Sequence, residues 1–101
     1  KYVSGSYGSN DSINKATSDD INSIKIYTDN RYSVITQITA EDDFFAHSGS
    51  YSLEGDTYTE FFKLHTNPDM VGKSATFEYE LRNKQLIISS DFMQEIWEKI
   101  E

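Results

Sequence analysis

Cysteine is missing from the 101-residue chain. Its absence excludes disulfide bonds, thiolate metal sites and a cysteine nucleophile together. It leaves the redox compartment open, because cysteine-free domains suit both an oxidising periplasm and the cytosol.

Basic residues are also scarce. Nine Lys and Arg stand against seventeen Asp and Glu, so the formal net charge is −8 and the isoelectric point is near 4.6. An acidic surface repels the phosphates of nucleic acids and of anionic membranes. No apolar run is long enough to span a bilayer, so we expect neither a nucleic-acid partner nor a membrane-spanning segment.

The chain has one proline and five glycines, whereas aromatic residues reach 14%, mostly Tyr and Phe. This bias favours pleated, half-buried strands over helices. A length of 101 residues suits one domain with a single core, and we treat residues 1–101 as that domain.

The stretch from Gly49 to Glu60 predicts a β-hairpin at the centre of the chain, because two alternating polar and apolar runs meet at Glu54-Gly55. A tight hairpin needs a residue with positive φ, and glycine adopts it without a steric clash. We therefore expect Gly55 to take that conformation.

Similar alternation predicts further strands, and six or seven short strands at even spacing indicate a β-barrel or sandwich. The closing segment is ambiguous, because its apolar residues fit a helical stripe as well as a strand. A barrel needs a last strand that pairs with the first, so we favour a strand over residues 94–100. The other predicted strands cover residues 1–4, 24–28, 32–38, 75–81 and 85–89.

Residues 5–23 are rich in Ser, Asn, Asp and Gly, which favour turns over strand pairing. We expect a long polar loop there, solvated or placed over one mouth of a barrel.

Few residues offer chemistry. His47 and His65 flank the central hairpin and would meet if the strand register allowed it, but two histidines without a third ligand make a poor zinc site, so we expect no metal. Glu60 shares a strand face with Tyr58 and Phe62. Either that face points into the barrel and Glu60 needs a partner or a raised pKa there, or a bulge at Phe61-Phe62 turns Glu60 outward.

The run of motifs resembles a small lipocalin-like (calycin) family of gut Bacteroidetes, largely of unknown function. The resemblance implies an all-β, antiparallel up-and-down β-barrel and a secreted or periplasmic protein, a processed lipoprotein included. In such families the first strand usually carries a Gly-x-Trp motif, and this sequence starts at or just past that point, so we expect the first strand to be incomplete. The matching stretches are residues 25–32, 49–60, 67–74 and 95–100.

Three function classes follow, and we rank non-enzymatic binding of a small, mostly apolar molecule inside the barrel first. An interaction domain with a filled core comes second, and an enzyme third. We expect no cofactor, and no motif indicates an oligomeric state. The predicted ligand-binding residues are Tyr51, Tyr58, Glu60, Phe62, Phe77 and Tyr79.

Overall fold

A computed structural model describes residues 1–9 and 12–100, which form nine β-strands and two single-turn 3-10 helices. The strands are β1 (Tyr2–Ser9), β2 (Ser12–Thr17), β3 (Ile21–Tyr27), β4 (Arg31–Ile38), β5 (Asp43–Glu54), β6 (Thr57–His65), β7 (Ser74–Arg82), β8 (Gln85–Ser90) and β9 (Met93–Glu98). The 3-10 helices cover Thr39–Glu41 and Pro68–Met70. Within the described ranges no helix is long and apolar enough to cross a membrane.

All strands belong to one antiparallel sheet with the order β2-β1-β9-β8-β7-β6-β5-β4-β3. The two end strands, β2 and β3, follow each other in the chain and are joined by residues 18–20. The short connection therefore holds the two ends of the sheet together, and the sheet curls into a nearly closed barrel. The predicted up-and-down barrel is confirmed.

The C-terminal segment is a strand, as predicted. β9 pairs with β1, and Trp97 lies opposite Tyr2. The two rings meet edge to face with centroids 5.5 Å apart, and both residues are buried. The first and last strands of the chain are thus neighbours inside the sheet, joined by a packed aromatic contact.

The prediction of a long polar loop over residues 5–23 is wrong. β1 continues to Ser9, β2 pairs with it from Ser12 onward, and β3 begins at Ile21. Most side chains of β2 are exposed, so the strand buries no apolar face. It is a strand because its backbone pairs with β1. Such a strand leaves no alternating pattern to read. Asn10 and Asp11, also assigned to the loop, lie outside the described residues.

Alternation places the core correctly in β4, where Tyr32, Val34 and Thr36 are buried while Ile35 is exposed. It misleads in β3, where Ile24 and Ile26 are exposed. The buried apolar core consists of Tyr2, Tyr32, Val34, Tyr58, Phe62, Ile88 and Trp97. The Glu54-Gly55 turn also forms as predicted, with a φ of +60° at Gly55.

A bulge in β6 settles where Glu60 points. The register shifts where Ser48 pairs with Leu64 and Gly49 pairs with Phe62, so Lys63 is the extra residue. The bulge reverses the facing of the side chains only after Phe62. Leu64 therefore points outward and is 69% exposed, whereas Glu60 stays inside the barrel, where only 3% of its surface is exposed. Of the two alternatives for Glu60, the inward one is therefore observed.

Candidate functional site

The barrel contains a cavity of about 290 Å³. It reaches the end of the barrel where β3, β5, β7 and β9 start, because Ile21, Phe45, Ala75 and Met93 all line it. Aromatic rings of Phe45, Phe62, Phe77 and Trp97 form much of its wall. We call this space the barrel cavity. It is an apolar chamber with one end near the β4–β5, β6–β7 and β8–β9 connections.

A buried ion pair lies on the wall of the barrel cavity. Lys25 Nζ is 2.7 Å from Glu60 Oε2, and only 7% and 4% of the two side chains are exposed. The same carboxylate oxygen accepts a hydrogen bond from the Tyr58 hydroxyl, which shares a further bond of 2.8 Å with the hydroxyl of Tyr27. Glu60 thus has the partner that a carboxylate in an apolar interior requires.

Burial and charge shift the pKa values in this network. Burial and the neighbouring Glu60 charge raise the pKa of Tyr58 above its usual range, so the phenol stays protonated near neutral pH. Burial opposes the charge on Lys25, but the attraction of Glu60 outweighs it and the pKa of Lys25 lies above its ordinary value. The Lys25 ammonium also lies 4.9 Å from the centroid of Trp97 and 5.6 Å from that of Tyr58.

Glu95 is a second carboxylate on the cavity wall. Its Oε2 accepts a hydrogen bond of 2.8 Å from the Tyr7 hydroxyl, and its Oε1 accepts one of 3.2 Å from the Trp97 indole N–H. Tyr7 is bonded in turn to the Tyr2 hydroxyl at 2.7 Å. Gly5 makes room for this chain, because a Cβ there would collide with both hydroxyls.

The register of the hairpin brings the two histidines together. His47 pairs with His65 across β5 and β6, and the rings stack with centroids 4.9 Å apart. Burial lowers the pKa of His47 to about 4, so its ring is neutral at pH 7, and it shares a hydrogen bond of 2.8 Å with Tyr32. Across residues 1–9 and 12–100 no group of three or more His, Cys, Asp or Glu side chains is placed to hold a metal ion.

The six predicted ligand-binding residues do not surround one space. Glu60, Phe62 and Phe77 line the barrel cavity. Tyr51, Tyr58 and Tyr79 instead line a separate recess of about 150 Å³, together with Tyr27, Leu53, Leu81 and Leu86. Tyr58 stacks on Phe77 with centroids 6.1 Å apart, which places it at the boundary between the two spaces.

Sequence reasoning missed Lys25 and Glu95. Glu95 carried a signal, because it alternates with Trp97 in the segment that was ambiguous between helix and strand. Lys25 carried none, because the alternation of Ile24 and Ile26 predicts an outward lysine whereas those two residues are exposed and Lys25 is buried. Its partner Glu60 is also 35 positions away, and local periodicity does not connect them.

A wider groove lies outside the barrel cavity. It measures about 630 Å³ and runs between β3, the β7–β8 connection and the end of β9. Ile24, Ile26 and Ile100 line it, and Lys25 and Trp97 contact both this groove and the barrel cavity. Several of its apolar side chains are exposed, so it is an open surface feature of the barrel.

Comparisons with known proteins agree with this architecture. A lipocalin-like protein from Bacteroides uniformis has a similar structure, with a TM-score of 0.66 and 16% identity over 97% of this chain and 96% of that protein. An uncharacterized protein from Bacteroides eggerthii is similar with a TM-score of 0.61 and 12% identity over 96% of this chain and 97% of that one. Comparison with curated proteins gave no match.

The predicted lipocalin-like fold is confirmed by these structures, which at such low identity bear on the fold alone. A family described as a domain of unknown function, DUF4488, matches residues 4–101. The chain therefore belongs to the DUF4488 family.

Proposed function

We propose that this protein binds a small molecule with a largely apolar body inside the barrel cavity. The observation that carries the proposal is the chamber itself, about 290 Å³ in volume, with aromatic walls and a few polar groups that converge on it. Ligand sites are typically apolar clefts of about 300 Å³ or more with a small number of placed polar groups. The barrel cavity has both properties.

A filled interior would favour the alternative, an extracytoplasmic interaction domain. Small eight-stranded barrels can be filled by their own side chains. Here Phe62 and Phe77 stand on the wall of an open space and do not fill it. The interior volume thus supports ligand binding over the interaction domain.

We propose binding without covalent chemistry. Tyr58 is protonated at neutral pH, and its raised pKa keeps it from acting as a base or nucleophile there. Glu60 is held by Lys25 and by Tyr58 itself. His47 is neutral, but its Nδ1 is already bonded to Tyr32. These groups are suited to orienting a ligand by hydrogen bonds.

We also propose that the protein is secreted or periplasmic. The support is the resemblance of its motifs to lipocalin-like proteins of Bacteroidetes, together with a cysteine-free composition that is compatible with an oxidising compartment. Immunodetection in cell fractions of the encoding organism tests this proposal, and a purely cytoplasmic signal would contradict it.

Titration with N-phenyl-1-naphthylamine, an uncharged dye that brightens in apolar surroundings, tests the binding proposal. We expect saturable binding with a parallel change in the emission of Trp97, which lines the barrel cavity. Absence of saturable binding by the folded protein would refute the proposal.

Two substitutions locate the dye. Phe77→Asp puts a charge on the cavity wall and should weaken binding at least about tenfold, since burying the apolar dye beside a charge is unfavourable. Ala75→Phe fills part of the cavity without adding a charge and should weaken binding too. Thr76→Phe is the matched control, because Thr76 is the exposed neighbour on the same strand. Equal affinities for the Ala75 and Thr76 variants would place the dye outside the cavity.

A further inference from the structure

The charges on the wall of the barrel cavity do not balance. Its ionisable side chains are Tyr2, Tyr7, Lys25, His47, Glu60 and Glu95. The tyrosines are neutral near pH 7, as a phenol ordinarily is, and burial raises the pKa of both further. His47 is neutral because burial lowers its pKa. Lys25 is the one cation of the described wall, and it pairs directly with Glu60 and is attracted only secondarily to Glu95. The two carboxylates therefore carry one more formal charge than the wall compensates, and Glu95 has no cation in direct contact.

Glu95 is held in place by neutral donors only. Each of its oxygens accepts one hydrogen bond, from Tyr7 or from Trp97. A carboxylate oxygen has room for a second donor, and an ammonium group offers three N–H donors. A charge-assisted bond from such a group would be about twice as strong as a bond between neutral groups.

The aromatic wall favours a cation as well. Lys25 Nζ already lies 4.9 Å from the centroid of Trp97, which shows that a ring of this wall accepts an ammonium group on its face. The rings of Phe45, Phe62 and Phe77 line the same space. Cation–π attraction grows when the cation is removed from water, as it would be here.

The β4–β5, β6–β7 and β8–β9 connections, which lie at one end of the cavity, are also negatively charged. Residues 39–42, 66–73 and 91–92, together with the first residue of β5, contain five carboxylates, Glu41, Asp42, Asp43, Asp69 and Asp91, against the single cation of Lys73. A mouth lined by one sign of charge raises the local concentration of oppositely charged ligands.

We propose that the barrel cavity selects small apolar molecules that carry a positive charge, such as primary aralkylamines, with Glu95 as the anchor for the ammonium group. This proposal rests on the proposed function and names the ligand class of the same site.

Three probes of nearly equal shape test the proposal: 2-phenylethylamine, 2-phenylethanol and phenylacetate. Their affinities are measured at pH 7 by NMR titration, with the Trp97 indole N–H as the reporter because it is bonded to Glu95. We expect the amine to bind at least about tenfold more tightly than the alcohol, and the carboxylate to bind most weakly. Equal affinities for the amine and the alcohol would overturn the charge selection and leave the proposed function standing.

Glu95→Gln keeps the size of the side chain and one oxygen that can accept the Trp97 N–H, while its NH2 group can donate to the Tyr7 hydroxyl. The substitution removes the charge, so the ratio of amine to alcohol affinity should fall towards one. Glu54→Gln is the matched control, since Glu54 is exposed beside the β5–β6 turn and the substitution changes the net charge equally. An equal loss of the ratio in both variants would refute the anchoring role of Glu95. If neither the probes nor the uncharged dye bind, this proposal and the proposed function both fail. The comparison of the three probes on the unmodified protein does not depend on the folding of any variant.

Discussion

Removal of Lys25 should destabilise the barrel severely. Lys25→Met keeps most of the length of the side chain but leaves Glu60 inside the barrel without its counterion. Glu60 would retain only the hydrogen bond from Tyr58. Breaking a buried pair from one side typically costs about 3–5 kcal/mol, because an uncompensated charge remains in the interior.

That loss is large for a domain of this size. The free energy of unfolding of a typical domain is about 5–15 kcal/mol, and 1 kcal/mol shifts the melting temperature by about 4–8 °C in a domain of up to about 100 residues. We therefore expect Lys25→Met to lower the melting temperature by at least about 12 °C. Urea denaturation followed by Trp97 fluorescence and circular dichroism gives the free energy directly, provided that the slope m is unchanged.

Two further variants make the reasoning falsifiable. Glu60→Leu combined with Lys25→Met removes both charges and should restore stability to within about 1 kcal/mol, because an apolar pair often replaces a buried ion pair without loss. The control is Arg82→Met, which breaks the Arg82–Glu80 pair, whose side chains are 63% and 56% exposed. An exposed pair contributes at most about 1 kcal/mol. A Lys25 variant no less stable than the Arg82 variant, or a double variant that loses the sum of the single effects, would refute the reasoning.

Two other predictions concern the turn and the histidine. Gly55→Val should lower the free energy of unfolding by about 1 kcal/mol or more, because the φ of Gly55 is +60° and a β-branched residue is strained there. An added Cβ would meet no other described atom within 4 Å, so the backbone strain is the whole effect. Gly55→Asn should cost less, and an unchanged urea midpoint for the valine variant would show that the turn tolerates it. Because the pKa of His47 is lowered to about 4 from an ordinary 6.5, its contribution to stability is complete above pH 6.5 and declines as the pH falls towards 4. Between pH 7 and pH 4.5 the unmodified protein should lose about 1–2 kcal/mol more than His47→Gln, a modest figure because solvent screens the half-buried ring, and equal pH profiles would contradict the assignment.

The fold was predictable wherever one strand face is buried and the other is exposed. β4 follows that rule, β7 shows the same alternation with a half-buried inner face, and Gly55 marks the hairpin turn through its backbone freedom. The β2 strand escaped prediction because most of its side chains are exposed and its pairing with β1 supplies the structure. Hydrogen bonds between backbones leave no trace in side-chain periodicity.

The candidate site was predictable only in part. The sequence shows which residues share a strand face with Glu60. Whether that face points into the barrel depends on the position of the bulge, which lies at Lys63, after Glu60. The Lys25–Glu60 pair joins strands that are not neighbours in the sheet. Contacts across a barrel interior depend on how the whole sheet curls, which short-range patterns do not specify.

The pairing of β1 with β9 also has a kinetic consequence. Strands β3 to β8 each pair with the next strand in the chain, so this part of the sheet can grow by successive local hairpins. The contact between Tyr2 and Trp97 instead joins residues 95 positions apart, and the entropy of closing so long a loop must be overcome before the contact forms. Such non-local pairing is typical of domains that fold in milliseconds to seconds. On the ribosome, β1 keeps an unpaired edge until β9 has been made, and an unpaired strand edge favours aggregation of the nascent protein during that interval.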